Sequence, residues 1–135
     1  FGLTTTPDKG WFDDLPLGQR IVVPVAAEVS IVAYIGTSAQ TDPCLTGMQA
    51  AVYARQYANG QSVLDDGGGT TVESIAYPEG AVGIDFVTLQ TSPGSPAEVR
   101  LMINAATTGN LYAPIKPKKV PLLDKHRMSW RLLGE

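Results

Sequence analysis

Short apolar runs, each closed by glycine or proline, limit this fold more than any other feature of the chain. The clearest are "RIVVPVAAEVSIVAYIG" at 20–36, "AVGIDFVTLQ" at 81–90 and "AEVRLMINA" at 97–105. Val and Ile dominate them, and β-branched side chains suit a pleated surface. In the first run Pro24 cannot donate to a ladder, so two strands are predicted, at 20–25 and 28–35. Val29, Ile31, Ala33 and Ile35 then share one face, and Ser30, Val32 and Tyr34 the other. Both faces are largely apolar, as for a strand covered on two sides. In the later runs Val82, Ile84 and Phe86 oppose Asp85, Val87 and Leu89, and Val99, Leu101 and Ile103 oppose Glu98, Arg100, Met102 and Asn104. A further strand is predicted at 71–77, and a last short strand, or the start of an arm, at 111–115. "MQAAVYARQYA" at 48–58 fits a short helix or a strand. The "NG" at 59–60 favours the strand, since Asn-Gly supplies the positive φ values of a hairpin turn. About seven short strands at roughly 8–12-residue spacing predict an all-β, antiparallel sandwich or small barrel.

The chain is 135 residues long, one domain's worth, with 44% hydrophobic and 17% charged residues. That argues against disorder and for a buried core. Cys44 is the only cysteine, so an intramolecular disulfide is impossible. No apolar run approaches the roughly 20 residues that span a membrane as a helix. The chain starts at Phe1 rather than Met, and no signal peptide is visible; residues are expected to precede it. A type IV pilin also begins with Phe, but a long apolar helix would follow, and "FGLTTTPDKG" is not one.

Candidate chemistry is sparse. His126 is the only histidine, and Cys44 lies some eighty residues upstream. A Cys–His or Ser–His–Asp mechanism would rest on that one His, and a zinc site has too few ligands. The "DDGGG" at 65–69 lacks the spaced ligands of a calcium loop and the pattern of a phosphate cradle. Glu28, Glu73, Asp85 and Glu98 fall on predicted strands, with no spacing that selects a pair. The chain is therefore expected not to be an enzyme and to need no cofactor and no metal.

Charge is distributed unevenly. Residues 1–115 carry four basic and eleven acidic side chains, a balance of 4 − 11 = −7; residues 116–135 carry six and two, 6 − 2 = +4. The basic end, "KPKKVPLLDKHRMSWRLLGE", is broken by Pro117 and Pro121 and carries large apolar groups. It suits an extended strap more than a regular element. The first nineteen residues, "FGLTTTPDKGWFDDLPLGQ", show neither helix nor strand period, yet are rich in large apolar groups that need a surface, their own or a neighbour's. The chain thus divides into an N-terminal arm at 1–19, a β-core at 20–111 and a basic C-terminal arm at 112–135. Trp and Arg are enriched at binding hot spots. The expected partner contacts are Phe1, Leu3, Trp11 and Phe12 in the first arm. In the second they are Lys118, Lys119, Val120, Leu122, Leu123, Arg127, Trp130 and Arg131. A nucleic-acid partner is not expected, because the body would repel a phosphate backbone and stacking aromatics are few. A membrane surface is not expected either; the apolar stripe of 122–133 is short for an independent helix.

With its strand-rich centre, its Gly/Pro/Thr loops and its two arms, the chain resembles the small β-sandwich proteins that decorate or cement tailed-phage capsids. The resemblance is one of general style and rests on no single motif. It implies a jelly-roll-like sandwich, a homo-oligomer on the virion surface, and binding to a major capsid protein. The alternative is a β-sandwich module for carbohydrate or a cell-surface ligand, in which Tyr53 and Tyr57 would form a small platform.

Overall fold

The computed structural model describes residues 2–6, 10–28, 30–90, 92–106 and 109–120, and of 5, 6, 110 and 112–120 only the backbone. Among them there are ten strands and no helix, and all strand pairs are antiparallel. The all-β class expected from the sequence is what the chain adopts.

The centre is the pair β5 (Ile31–Ala39) and β6 (Met48–Gln56), in unbroken register from Ile31↔Gln56 to Ala39↔Met48. Residues 48–56 are strand and not helix. Two-residue alternation puts Val52 and Ala54 into the core and Tyr53 and Arg55 on the opposite face, and both faces are buried. β5 is likewise covered on both sides.

Each edge of this sheet is broken in two. On the β5 side lie β3 (Arg20–Ile21), opposite Thr37 and Gly36, and β4 (Ala26–Glu28), opposite Ala33 to Ile31. The predicted strand 20–25 thus stops at Ile21. Pro24 falls in the gap, where no ladder donor is missed. The second strand begins at Ile31 and not at 28, because 26–28 is a separate strand that turns back through Ser30, whose φ is 69°. On the β6 side, Ser62 bridges Arg55, and β7 (Ile75–Tyr77) pairs with Val52 to Ala50. The Asn59–Gly60 pair lies in the turn between β6 and Ser62, but only Gly60 takes a positive φ, 72°, so the expected turn with both φ values positive is not formed; the Gly60 N–H donates to the Gln56 carbonyl at 2.8 Å. Only 75–77 of the predicted strand 71–77 is regular. The chain from Leu64 to Val72 instead makes an outward excursion closed by an Asp65↔Thr71 bridge. Within it, Asp66 Oδ1 accepts from the N–H groups of Gly68 and Thr70, and Asp65 Oδ1 from that of Gly67. Those bonds hold the Asp66 carboxyl below the usual range. The "DDGGG" carboxylates thus cap their own loop.

The second sheet is β8 (Ala81–Leu89), β9 (Ala97–Ala105) and β10 (Gly109–Val120), in the order β10-β9-β8. Val99, Leu101 and Ile103 are buried, as their alternation predicts. Ile84 and Phe86 pack on the core, but Val82 is exposed, because a bulge between Ala81 and Gly83 breaks the alternation. β10 is longer than the predicted 111–115. Its register with β9 breaks between Ala113 and Lys118, and both Pro114 and Pro117 fall in that break. Pairing then resumes, with Lys118 opposite Val99, Lys119 opposite Glu98 and Val120 opposite Ala97. One buried cluster joins the sheets: Ile31, Ala33, Ile35, Ala50, Val52, Ala54 and Leu64 meet Ala81, Leu101 and Ile103.

A third, two-stranded sheet, β1 (Gly2–Thr6) with β2 (Gly10–Asp14), docks on the Tyr34–Tyr53 face, and Leu15 behind it packs against the buried cluster of Tyr34, Ala51 and Tyr53. The N-terminal segment, which shows no period by hydropathy, is therefore a hairpin.

Candidate functional site

The most organised polar group of the described residues lies beneath this hairpin. Tyr34 and Tyr53 are cross-strand partners, so their rings meet on one face; they stack with centroids 5.2 Å apart and planes 11° from parallel. Arg55, two residues on, shares that face, with its guanidinium 5.9 Å from the Tyr53 centroid. Its side chain is only 3% exposed, and a charge so buried needs a partner. Alternation in β2 turns Trp11 and Asp13 inward and Phe12 and Asp14 outward. Asp13 Oδ2 accepts from Arg55 Nε at 3.0 Å and Nη2 at 2.7 Å, and also from the Tyr34 hydroxyl. Arg55 Nη1 donates to the exposed Glu73 carboxylate. The Tyr53 hydroxyl donates to Gln19 Oε1 at 2.9 Å. Burial pulls the Arg55 guanidinium down, but its bonds to Tyr34, Glu73 and Asp13 outweigh that and hold it firmly charged.

A cavity of about 280 Å3 remains between hairpin and sheet, lined in part by Leu3, Pro16, Tyr53, Arg55 and Glu73. Asp13, Tyr53, Arg55 and Glu73 around it are held in the hydrogen bonds just described. The arrangement is suited to holding the hairpin down.

Trp11 completes the contact. Its indole N–H donates to the Tyr57 carbonyl at 2.8 Å. Leu3 and Trp11 sit directly over Gly60, where an added Cβ would lie 2.6 Å from Leu3 Cδ1 and 2.8 Å from the Trp11 ring. Gly60 has a φ of 72°, so any side chain there is also strained. Gly60→Ala is expected to cost about 2 kcal/mol and to shift Trp emission to longer wavelength as the hairpin lifts. Unchanged stability and emission would show that the hairpin does not rest on this turn.

Burial raises the phenols of Tyr34, Tyr53 and Tyr77 above their ordinary value; at Tyr34 the hydrogen bond to Asp13 adds to it. A raised folded-state value means the protonated phenol favours the fold. That stability is complete below the ordinary tyrosine value of about 10 and is lost as pH rises above it. Absorbance titration at alkaline pH should show these phenols ionising late, together with unfolding. Early ionisation of all tyrosines in a folded chain would contradict it.

The expected contact residues separate in the structure. Leu3 and Trp11 are half-buried against their own domain, while Phe12 points outward and is 53% exposed. Lys118, Lys119 and Val120 belong to β10, so the expected C-terminal arm stays paired with β9 as far as Val120. Phe1, Leu122, Leu123, Arg127, Trp130 and Arg131 lie outside the described residues. Of the tyrosine platform, Tyr53 is buried and only Tyr57 is open, at 74%. Sequence reasoning missed the Asp13–Arg55–Tyr34 group. Its one signal was Arg55 inside an otherwise apolar strand, which demands an acid without saying which.

Two features among the described residues could meet other molecules. Phe12, Leu17, Ile21, Val22 and Val25 are exposed within one short stretch before and along the broken edge strand. A groove of about 290 Å3 opens at one end of the second sheet, lined by Leu45, Tyr77, Pro78, Glu79, Gly80, Ala105 and Leu111. Comparison with protein-family models, curated proteins and solved structures gives no match.

Proposed function

We propose that this chain is a non-enzymatic structural protein of a virion, which binds and stabilises a capsid lattice as a homo-oligomer through its two ends. The proposal takes the two larger sheets as the layers of a β-sandwich; a jelly-roll order follows only from the family resemblance. The observation that carries the reading is where large apolar groups stay uncovered. Phe12, Leu17, Ile21, Val22 and Val25 lie at the N-terminal side and broken edge of the domain, and apolar surface gathered this way is typical of contact regions. The basic end adds to it. Its first three basic residues, Lys116, Lys118 and Lys119, belong to β10, an edge strand of its sheet, and residues 116–135 carry +4 against −7 for residues 1–115. Opposite charges on body and end favour contacts between copies or with an acidic coat.

Mass spectrometry of purified particles, made from the genome that encodes the chain, tests this. Its peptides should be present in amounts comparable to a coat protein and survive a salt wash. Their absence from intact particles would remove the virion reading. A carbohydrate module would instead bind glycans through an aromatic face, and of its expected platform Tyr53 is buried and Tyr57 exposed.

A further inference from the structure

We propose that Asp85 guards the outer edge of β8 and keeps that strand from continuing its sheet into another molecule. The role does not depend on the assembly reading above. It concerns the one long edge along which copies would otherwise join without limit.

A strand at a sheet edge presents unpaired N–H and C=O groups, a template for further pairing. Most edges of the two larger sheets offer little of this. The first sheet ends in strands of two or three residues, β3, β4 and β7. β10 carries Pro114, Pro117 and three lysines, and proline and lysine both blunt an edge. β8 is different. It is nine residues long, contains neither proline nor lysine, and pairs only with β9 among the described residues. Its Val, Ile, Phe and Thr residues favour the extended chain.

The bonding of Phe86 shows which backbone groups face outward. Its N–H donates to Asp85 Oδ1 at 2.8 Å, so it is turned away from β9. Antiparallel alternation turns Ile84 and Thr88 the same way, and Asp85, Val87 and Leu89 toward β9. The exposed Asp85 carboxylate thus occupies the donor at the middle of the free edge, which an incoming strand would need. An arriving carbonyl oxygen would also meet its negative charge. A second β8 paired about its middle would set two such carboxylates opposite each other, and like charges so placed destabilise a ladder.

Hydrogen exchange of single amides, read by NMR on full-length chains at rising protein concentration, tests this. In the wild-type chain the Ile84 and Thr88 amides should exchange fast at every concentration, and those of Asp85 and Val87 slowly. Asp85→Val removes both acceptor and charge at an exposed position. In that variant the amides of Ile84, Phe86 and Thr88 should slow by about tenfold or more as concentration rises, because the edges pair. Asp85→Val/Thr88→Pro should abolish the slowing, since proline removes an outward donor and leaves the β9 ladder intact. Wild-type Ile84 and Thr88 amides as slow as those of Asp85 and Val87 would mean the edge is already covered and has nothing to guard. Amides of Asp85→Val that stay fast at high concentration would show that the carboxylate is not what keeps the edge free. Slowing that survives Thr88→Pro would place the new contact elsewhere and overturn the role as well.

Discussion

Replacing Asp13 with alanine is expected to lower the stability of the fold by about 3–5 kcal/mol, the loss typical of a buried ion pair broken on one side. The reason is the state it leaves behind. Arg55 and Asp13 side chains are 3% and 7% exposed, so the guanidinium loses the carboxylate that takes its Nε and Nη2 hydrogens while water stays excluded. Glu73 would remain, but it is largely exposed and holds only Nη1. The Tyr34 hydroxyl would lose its acceptor in the same step. The double variant Asp13→Ala/Arg55→Met should cost less, because both buried charges of the pair are removed together. Urea unfolding of both variants checks the order. A loss below about 1 kcal/mol for Asp13→Ala, the range of exposed pairs, would mean that the hairpin is not held by this cluster.

Leu101→Ala should be comparably damaging, at about 2–5 kcal/mol. Leu101 is fully buried on β9, the middle strand of its sheet, and belongs to the cluster that also contains Ile35 and Val52 of the other sheet. Truncation removes apolar contacts and leaves a cavity that two hydrogen-bonded sheets cannot close by moving. Val82→Ala is the control. Val82 is 63% exposed beside the bulge at Ala81/Gly83, so its loss should stay within about 0.5 kcal/mol. Equal effects from the two variants would show that the sheets do not share one core.

The all-β class was legible because β-branched alternation is a local signal. Ile31, Ala33 and Ile35 faced the core as their spacing required, and Asn59–Gly60 marked its turn. Where the reading failed, the deciding contact was distant in sequence. β2 alternates as well as any strand, but its inward residues are Trp11 and Asp13. An apolar residue followed by a charged one hides the period. The charge is explained only by Arg55, forty-two residues away. Pro117 and Pro121 pointed to a strap leaving the body. The chain instead sets Pro117 in a register break and resumes the ladder, with Lys119 opposite Glu98; Pro121 lies outside the described residues. Residues 116–120 are therefore part of the folded domain, and a deletion meant to spare that domain must start after Val120.

The most direct test of the assembly account compares the full chain with one ending at Val120, by sedimentation equilibrium and thermal unfolding. The account predicts that the full chain self-associates, while the shortened one is monomeric and melts as a folded domain. A shortened chain that unfolds would show that the basic end packs on its own domain. One that associates as well as the full chain would show that the end plays no part in assembly.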